Sequence, residues 1–399
     1  MTFFAKAIAA SAVFLCLILS QSAAQEKNDL SVTRKDGIRF ATSDNKFVLA
    51  LRFRVQSRVG YATVSETDLA PAEFDFRVRR TRLRFDGHIL DPRLTYNVQL
   101  SFTRADQDWD VSQVPNVLRD AMIWYQVKKG LSIGIGQGKL PGNRQRVISS
   151  GEQQFADRSI VNNALTLDRD VGLFVYYIAN HERFAYRVKT AVTNGEGRNA
   201  LPSDEGLAYT GRLELLPLGP FTERNDYLEG DLFRESRPKL SLAGTVNFND
   251  EAKRAGGELG PLLYEPRDLF NVHADMLFKY NGWAFSSEYL YRHTDDPYTH
   301  DENNNVRRVT AGEGINSQLS YCTPKMWEVA LRHSYLSPQK ELQEDEPQVT
   351  QYGVCLTKYL NKHKVKVQTD FHYEIRRDPV TDTKTSGNYL WRFQVELGI

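Results

Sequence analysis

KFVLALRFRVQSRVGY, residues 46–61, alternates. Phe47, Leu49, Leu51, Phe53, Val55 and Val59 share one parity, and Arg52, Arg54, Gln56 and Arg58 share the other. Successive side chains of a strand point to opposite faces, so this period of two marks a strand and not a helix. The segment therefore needs apolar surroundings on one side and polar surroundings on the other.

The same pattern recurs along the chain. LTYNVQLSF (94–102), FAYRVKTAV (184–192), WAFSSEYLYR (283–292), HKVKVQTDFHYE (363–374) and the final NYLWRFQVELGI all alternate. Sixteen such segments start near residues 46, 74, 93, 119, 131, 169, 183, 206, 239, 268, 282, 313, 326, 349, 363 and 388. Most run about 10–14 residues, enough to cross a bilayer at a tilt. Short connections fall at Asp91-Pro92, Lys129-Gly130, Ala179–Glu182, Asn281-Gly282, Thr323–Lys325 and Asn361-Lys362. Long polar connections alternate with them. Only 219–238 breaks the rule, being long where a short turn is expected.

The chain opens with Lys6, an apolar run and the small residues Ser22 and Ala24, which reads as a secretory signal peptide over 1–24. Its removal takes Lys6 from the 51 basic residues and leaves 50 against 50 acidic ones. Net charge thus carries no information about partners. An N-terminal periplasmic segment, 25–45, precedes the repeating part. An even strand number, alternating short and long connections and a secreted precursor together predict an all-β, 16-stranded antiparallel transmembrane barrel over 46–399. In lipid only a closed barrel lets strands satisfy their backbone groups. The competing fold is a secreted β-sandwich, whose strands would be shorter.

In a barrel the polar parity becomes the channel lining. It collects Arg52, Arg54, Arg58, Arg187, Lys189 and Arg212. The acids of the same parity concentrate in the second half of the chain, so positive charge is sorted onto one arc. EFDFRVRRTRLRF (73–85) adds five arginines. Arg77 and Arg79 oppose Phe74, Phe76 and Val78, but Leu83 and Phe85 have the opposite parity. A bulge near Arg80-Thr81 keeps both apolar groups outward and turns Arg82 and Arg84 inward; an end to membrane contact there serves equally. Arg80 sits at the slip, and its face is left open. Guanidinium groups keep their charge and present a donor fork matched to oxyanions. The competing reading pairs these arginines with wall acids, Arg292 with Glu288 or Asp275 for example.

The longest connection, 140–168, is the third outward loop and is expected to form the constriction. It offers Arg144, Arg146 and Arg158, with Lys139 at its entry, and carries the acids Glu152, Asp157 and Asp168.

These residues resemble the phosphate-selective porin O/P family. GQGKLPG (136–142), FADRS (155–159), LDRDVG (167–172), VTNGEG (192–197), RRTRLRFDG (79–87), GRLELLPLG (211–219) and HKVKVQTDF (363–371) carry the resemblance. It implies a homotrimer in the outer membrane of a Gram-negative-type bacterium, embedded in its lipid. Each barrel then passes inorganic anions, phosphate or polyphosphate, by passive diffusion past an arginine ladder. Ile399 departs from the aromatic that usually ends such barrels. No catalytic site is expected, because no glycine-rich phosphate loop precedes a helix and the eight histidines are scattered. No cofactor, metal or nucleic-acid partner is expected. The alternative function is a non-selective or non-conducting barrel with a structural or adhesive role.

Overall fold

The computed structural model describes residues 31–33, 37–106, 116–201 and 206–399. The expected signal peptide, 1–24, lies outside them.

Among the described residues, sixteen antiparallel strands form the wall. They are β1 (Phe47–Thr63), β2 (Arg77–Ile89), β3 (Asp91–Ser101), β4 (Leu118–Lys128), β5 (Leu131–Lys139), β6 (Arg169–Asn180), β7 (Ala185–Thr193) and β8 (Ala208–Leu216). The second half supplies β9 (Lys239–Arg254), β10 (Leu262–Tyr280), β11 (Trp283–His293), β12 (Gly312–Cys322), β13 (Trp327–Pro338), β14 (Gln348–Asn361), β15 (Val365–Arg377) and β16 (Lys384–Gly398). Each strand pairs with its sequence neighbours, and β16 closes the barrel on β1, Leu390 opposite Ala62 through Gly398 opposite Arg54. Every expected strand is present. The tenth begins at Leu262 rather than at 268, because β9 and β10 stay paired through register shifts between Asn249 and Arg254.

β16 stops opposite Arg54, which leaves the first residues of β1 without a partner on that side. Ile38–Ala41 fills the gap by pairing with Val48–Leu51. The segment before residue 46 thus completes the wall where an open edge would expose backbone donors and acceptors. The short turns cluster at this end of the barrel and the long loops at the other. At the turn between β10 and β11, Asn281 (φ 48°) and Gly282 (φ 91°) both take the left-handed conformation that a two-residue hairpin of this hand requires.

The expected phase slip is a bulge. Gln56 pairs with Arg80 and Ser57 with Val78, so Arg79 is the extra residue. Val78 faces outward, exposed like Phe74 and Phe76 before it. Arg80 and Arg82 are buried toward the lumen, so all five arginines of 73–85 lie on the inner side. The outward parity elsewhere carries Phe53, Ile133, Val175, Leu213, Val246, Leu331 and Phe393, all exposed, as a lipid-facing belt requires.

Two segments fold into the lumen. Loop 140–168 enters from the loop end with two short helices, α1 (Arg144–Val147) and α2 (Ile160–Leu165). Apolar contacts seat it: Leu140 and Leu167 pack on Met122 and Phe174, and Val161 and Leu165 pack on Leu290. Segment 217–238 enters from the turn end, and Lys279 on the wall holds it. The Lys279 ammonium donates to the carbonyls of Asn225 (2.6 Å), Leu228 (2.9 Å) and Gly230. The two segments meet. Glu229 N donates to Glu152 O at 2.9 Å, and Gln154 N to Glu229 Oε2 at 2.8 Å. The long connection at 219–238 is therefore an interior element of the barrel, attached at its turn end.

Candidate functional site

The register of β1 on β2 stacks arginines in pairs. Arg58 lies opposite Arg77, Gln56 opposite Arg80, Arg54 opposite Arg82 and Arg52 opposite Arg84. With the bulged Arg79, eight guanidinium groups form a ladder down one arc of the lumen. Like charges directly opposite on neighbouring strands repel, so compensating acids must be close. Among the described residues, five carboxylates meet the eight: Asp75, Asp86, Asp106, Asp157 and Glu396. Asp75 bridges Arg58 (2.7 Å) and Arg77 (2.6 Å), and Asp86 bridges Arg84 (2.6 Å) and Arg52 (3.4 Å). Asp106 holds Arg82 at 2.6 Å and Arg119 at 3.2 Å. Glu396, across the seam on β16, lies 3.7 Å from Arg54. The excess of arginine leaves the arc positive.

Water access along the ladder has an hourglass form. The side chain of Arg77, toward the loop end, is 47% exposed, and Arg52 and Arg84, toward the turn end, are 45% and 42% exposed. Between them Arg54 falls to 16% and Arg82 to 8%. Loop 140–168 makes this waist. Arg54 donates to Ser149 Oγ (3.2 Å) and Ser150 Oγ (2.8 Å), and Arg82 donates to Ser150 Oγ (2.9 Å). The backbone at Gly151 comes closer still: a Cβ there would lie 1.9 Å from Arg54 Nη1. Just above, the Asp157 carboxylate pairs with Arg58, with Arg79 at 3.0 Å, with Arg80 at 3.3 Å and with Arg392 at 3.4 Å. Burial alone would raise the Asp157 carboxyl; Arg79, Arg58, Arg80 and Arg392 outweigh it and hold the group well below the usual carboxylate range.

The other side of the lumen is filled. Inward polar residues of β9–β15, such as Asn271, Glu288, Gln318, Glu328, Lys366 and Asp370, are buried under the two entering segments. The opening therefore runs along the ladder and β3, where the inward Thr95, Asn97 and Gln99 stay half-buried.

The remaining sequence-selected residues sit elsewhere. Arg187, Lys189, Arg212 and Arg144 form one buried network with Glu214, Asp226 and Asp275. Within it Arg187 pairs with Asp226 and Glu214, and Lys189 lies 2.7 Å from Glu214. Arg212 spans Glu214 (2.9 Å) and Asp275 (2.7 Å), and Arg144 reaches Asp275 at 2.8 Å. Lys139 donates to the carbonyls of Arg146, Val147 and Ile148 at 2.9–3.2 Å, and Arg158 to those of Gln145 and Ile148. Both cations thereby satisfy orphan carbonyls at the end of α1. Arg146 pairs with Asp168. Arg292 pairs with neither Glu288 nor Asp275; it donates to Asn271 Oδ1 and to the carbonyls of Ala164, Thr166 and Thr310. Sequence reading does not select Asp75 or Asp106; it places Glu396 only as an inward acid of the last strand and Asp157 only as an acid of the loop. The odd Gly151 among polar loop residues was the one local signal of a close approach.

Comparison with known proteins agrees with this architecture. The outer-membrane channel DcaP of Acinetobacter baumannii has a similar fold, with TM-score 0.55 and 13% identity, 92% of this chain and 100% of that chain being covered. The anion-selective porin from Comamonas acidovorans gives TM-score 0.53 and 11% identity over 88% of this chain and 99% of that one. OmpT of Vibrio cholerae in its trimer form gives 0.50 and 10% over 87% and 98%. At these identities the likeness is one of fold. No curated protein sequence matches the chain. A family model, that of phosphate-selective porin O and P, matches residues 49–220, the stretch that carries both ladder strands and the constricting loop. The protein is a sixteen-stranded barrel of porin fold whose residues 49–220 match the model of the phosphate-selective porin O and P family.

Proposed function

We propose that the barrel is a passive anion channel of the outer membrane that admits phosphate-like oxyanions. The observation that carries this reading is the β1–β2 ladder: eight inward arginines against five carboxylates, running between the water-exposed Arg77 at one end and Arg52 and Arg84 at the other. A positive channel with low-dielectric walls concentrates anions and turns cations away. In this reading Arg52, Arg54, Arg58, Arg77, Arg79, Arg80, Arg82 and Arg84 line the path. Arg144, Arg146, Arg158 and Lys139 hold the constricting loop, and Arg187, Lys189 and Arg212 brace the opposite wall. The assembly is a homotrimer, in keeping with the trimer form of the Vibrio cholerae OmpT barrel, and the chain reaches the membrane after cleavage near Ala24.

The test is the reversal potential of reconstituted channels in a salt gradient across a planar bilayer. Anion preference is expected, and a preference for cations would overturn the reading. A second reading has its own observation. Loop 140–168 and segment 217–238 meet inside the lumen through Glu229, Glu152 and Gln154. A barrel filled this far fits a non-conducting structural or adhesive role, and folded protein without conductance would select it.

A further inference from the structure

The upper waist holds more cationic donors than its own acids use. Arg58, Arg79, Arg80 and Arg392 converge on the Asp157 carboxylate, and Arg332 Nη1 donates to the Asp157 carbonyl at 3.0 Å. Among the described residues, Asp75 and Asp370 are the other carboxylates on these five arginines, Asp370 lying 2.8 Å from Arg392. Five cations thus meet three anions in a nest whose Arg58, Arg80 and Arg332 are almost wholly buried. Four of its nitrogens make no hydrogen bond to the described residues: Arg58 Nε, Arg79 Nη1, Arg80 Nε and Arg332 Nη2. Buried donors without acceptors are costly, more so when charged. The nest is built for more oxyanion than the chain supplies.

Asp157 is also held in place. Ala156 N donates to Asp370 Oδ2 at 2.8 Å, and the Phe155 ring lies under Arg332, 3.9 Å from guanidinium carbon to ring centroid. Ser159 N is tied to Gln145 Oε1 at 3.0 Å. With backbone anchored on both sides, only the side-chain bonds of Asp157 are left to move its carboxylate.

We propose that this five-arginine nest is an oxyanion-binding site that Asp157 occupies as a tethered competitor, so that a permeating oxyanion binds by displacing the Asp157 carboxylate. This deepens the anion-channel reading and rests on it. A carboxylate and a phosphate present the same kind of acceptor edge to a guanidinium fork. A tethered competitor weakens binding of the mobile ion, which a channel needs if the ion is to leave again.

The experiment uses the full-length barrel in planar bilayers, with inorganic phosphate added as a blocker of chloride current. Reversal potential is measured first. Cation preference in the native protein would remove the channel reading and this one together. With anion preference established, Asp157→Asn is expected to tighten phosphate block about tenfold or more, a step of about 1.4 kcal/mol. Asp157→Glu, which keeps the charge, is expected to stay near the native value. Unchanged block in folded D157N overturns the inference and leaves the channel reading intact. If D157N does not fold, the charge-balanced pair R79Q/D157N is compared with R79Q alone. Tighter block in the pair supports displacement, and equal block overturns it.

Discussion

Arg54 on β1 and Arg82 on β2 stand directly opposite each other, and both donate to the single hydroxyl of Ser150, at 2.8 and 2.9 Å. Two like charges meet on one loop oxygen in the waist of the ladder. Ser150→Ala removes the acceptor shared by the half-buried Arg54 and the buried Arg82. The expected cost is about 1–3 kcal/mol, read as a lower urea midpoint in lipid, with larger anion conductance because both side chains are released. A variant equal to the native protein in both would show that the hydroxyl is idle.

Gly151→Ala tests the same approach from the backbone side. The added methyl group would sit 1.9 Å from Arg54 Nη1, the far end of a flexible side chain, and 2.7 Å from Glu396 Oε1. Arg54 is expected to move and the fold to survive, with a stability loss within about 1–3 kcal/mol. The readout is a changed anion-to-cation permeability ratio with an unchanged barrel circular dichroism spectrum.

The two mouths act at longer range. Arg52, Arg84 and Arg77 are the exposed ends of the ladder. Arg52→Gln with Arg84→Gln is expected to reduce anion selectivity in dilute salt. The loss should fade toward about 1 M, where the screening length falls to about 3 Å. Substitution at the buried Arg82 is expected to keep its effect at high salt. Selectivity measured from about 0.05 to about 1 M separates the two classes.

Glu258, in the connection between β9 and β10, gives a pH signature. It is buried, accepts a hydrogen bond from Asp168 N at 3.2 Å through Oε2, and leaves Oε1 without a partner among the described residues. Burial first, and the nearby Asp170 second, push it from the ordinary 4.5 up to about 8. The folded chain therefore keeps a proton that the unfolded chain has released, and stability falls as pH rises from about 4.5 to about 8. Glu258→Gln is expected to open a gap in Tm in its own favour across that window, worth at least about 1 kcal/mol at the alkaline end. A gap that does not widen with pH would refute the assignment.

Lys279 gives the last test. Its ammonium ties three carbonyls of segment 217–238 to the wall. Lys279→Met leaves those carbonyls without their donor, at about 1–3 kcal/mol each before relaxation. Release of the segment is expected, seen as protease cleavage between residues 217 and 238 in protein that still carries a folded barrel.

Much of this architecture was legible in the sequence because a strand's period fixes its faces. That logic placed all sixteen strands, the lipid belt and the inward arginines, and a broken parity at Leu83 located the bulge to within a residue or two of Arg79. It left Arg80 open because the face of a residue at a slip depends on which neighbour is extra. Period also says nothing about what occupies the space a face looks into. Arg187, Lys189 and Arg212 share the inward parity of Arg52, yet they are sealed beneath loop 140–168 and segment 217–238. Every arginine of the ladder has an acid partner. Asp86 sits on β2 itself, two residues from Arg84, where spacing shows it. The other partners come from a loop (Asp75, Asp157), from across the seam (Glu396) or from beyond β3 (Asp106), places that same-strand spacing cannot reveal.

The pairing of β1 with β2 also sets a distance. Successive inward positions on a strand lie about 6.6–6.8 Å apart, and the screening length at physiological ionic strength is about 8 Å. Within the Arg52–Arg58 row, Arg52 and Arg54 therefore lie inside each other's electrostatic reach, while Gln56 interrupts the row and Arg80, directly opposite it on β2, supplies the charge at that rung. Along the paired strands, every rung from Arg52 and Arg84 to Arg58 and Arg77 carries at least one guanidinium. The loop contact on Arg54 and Arg82 falls within that unbroken run of charge.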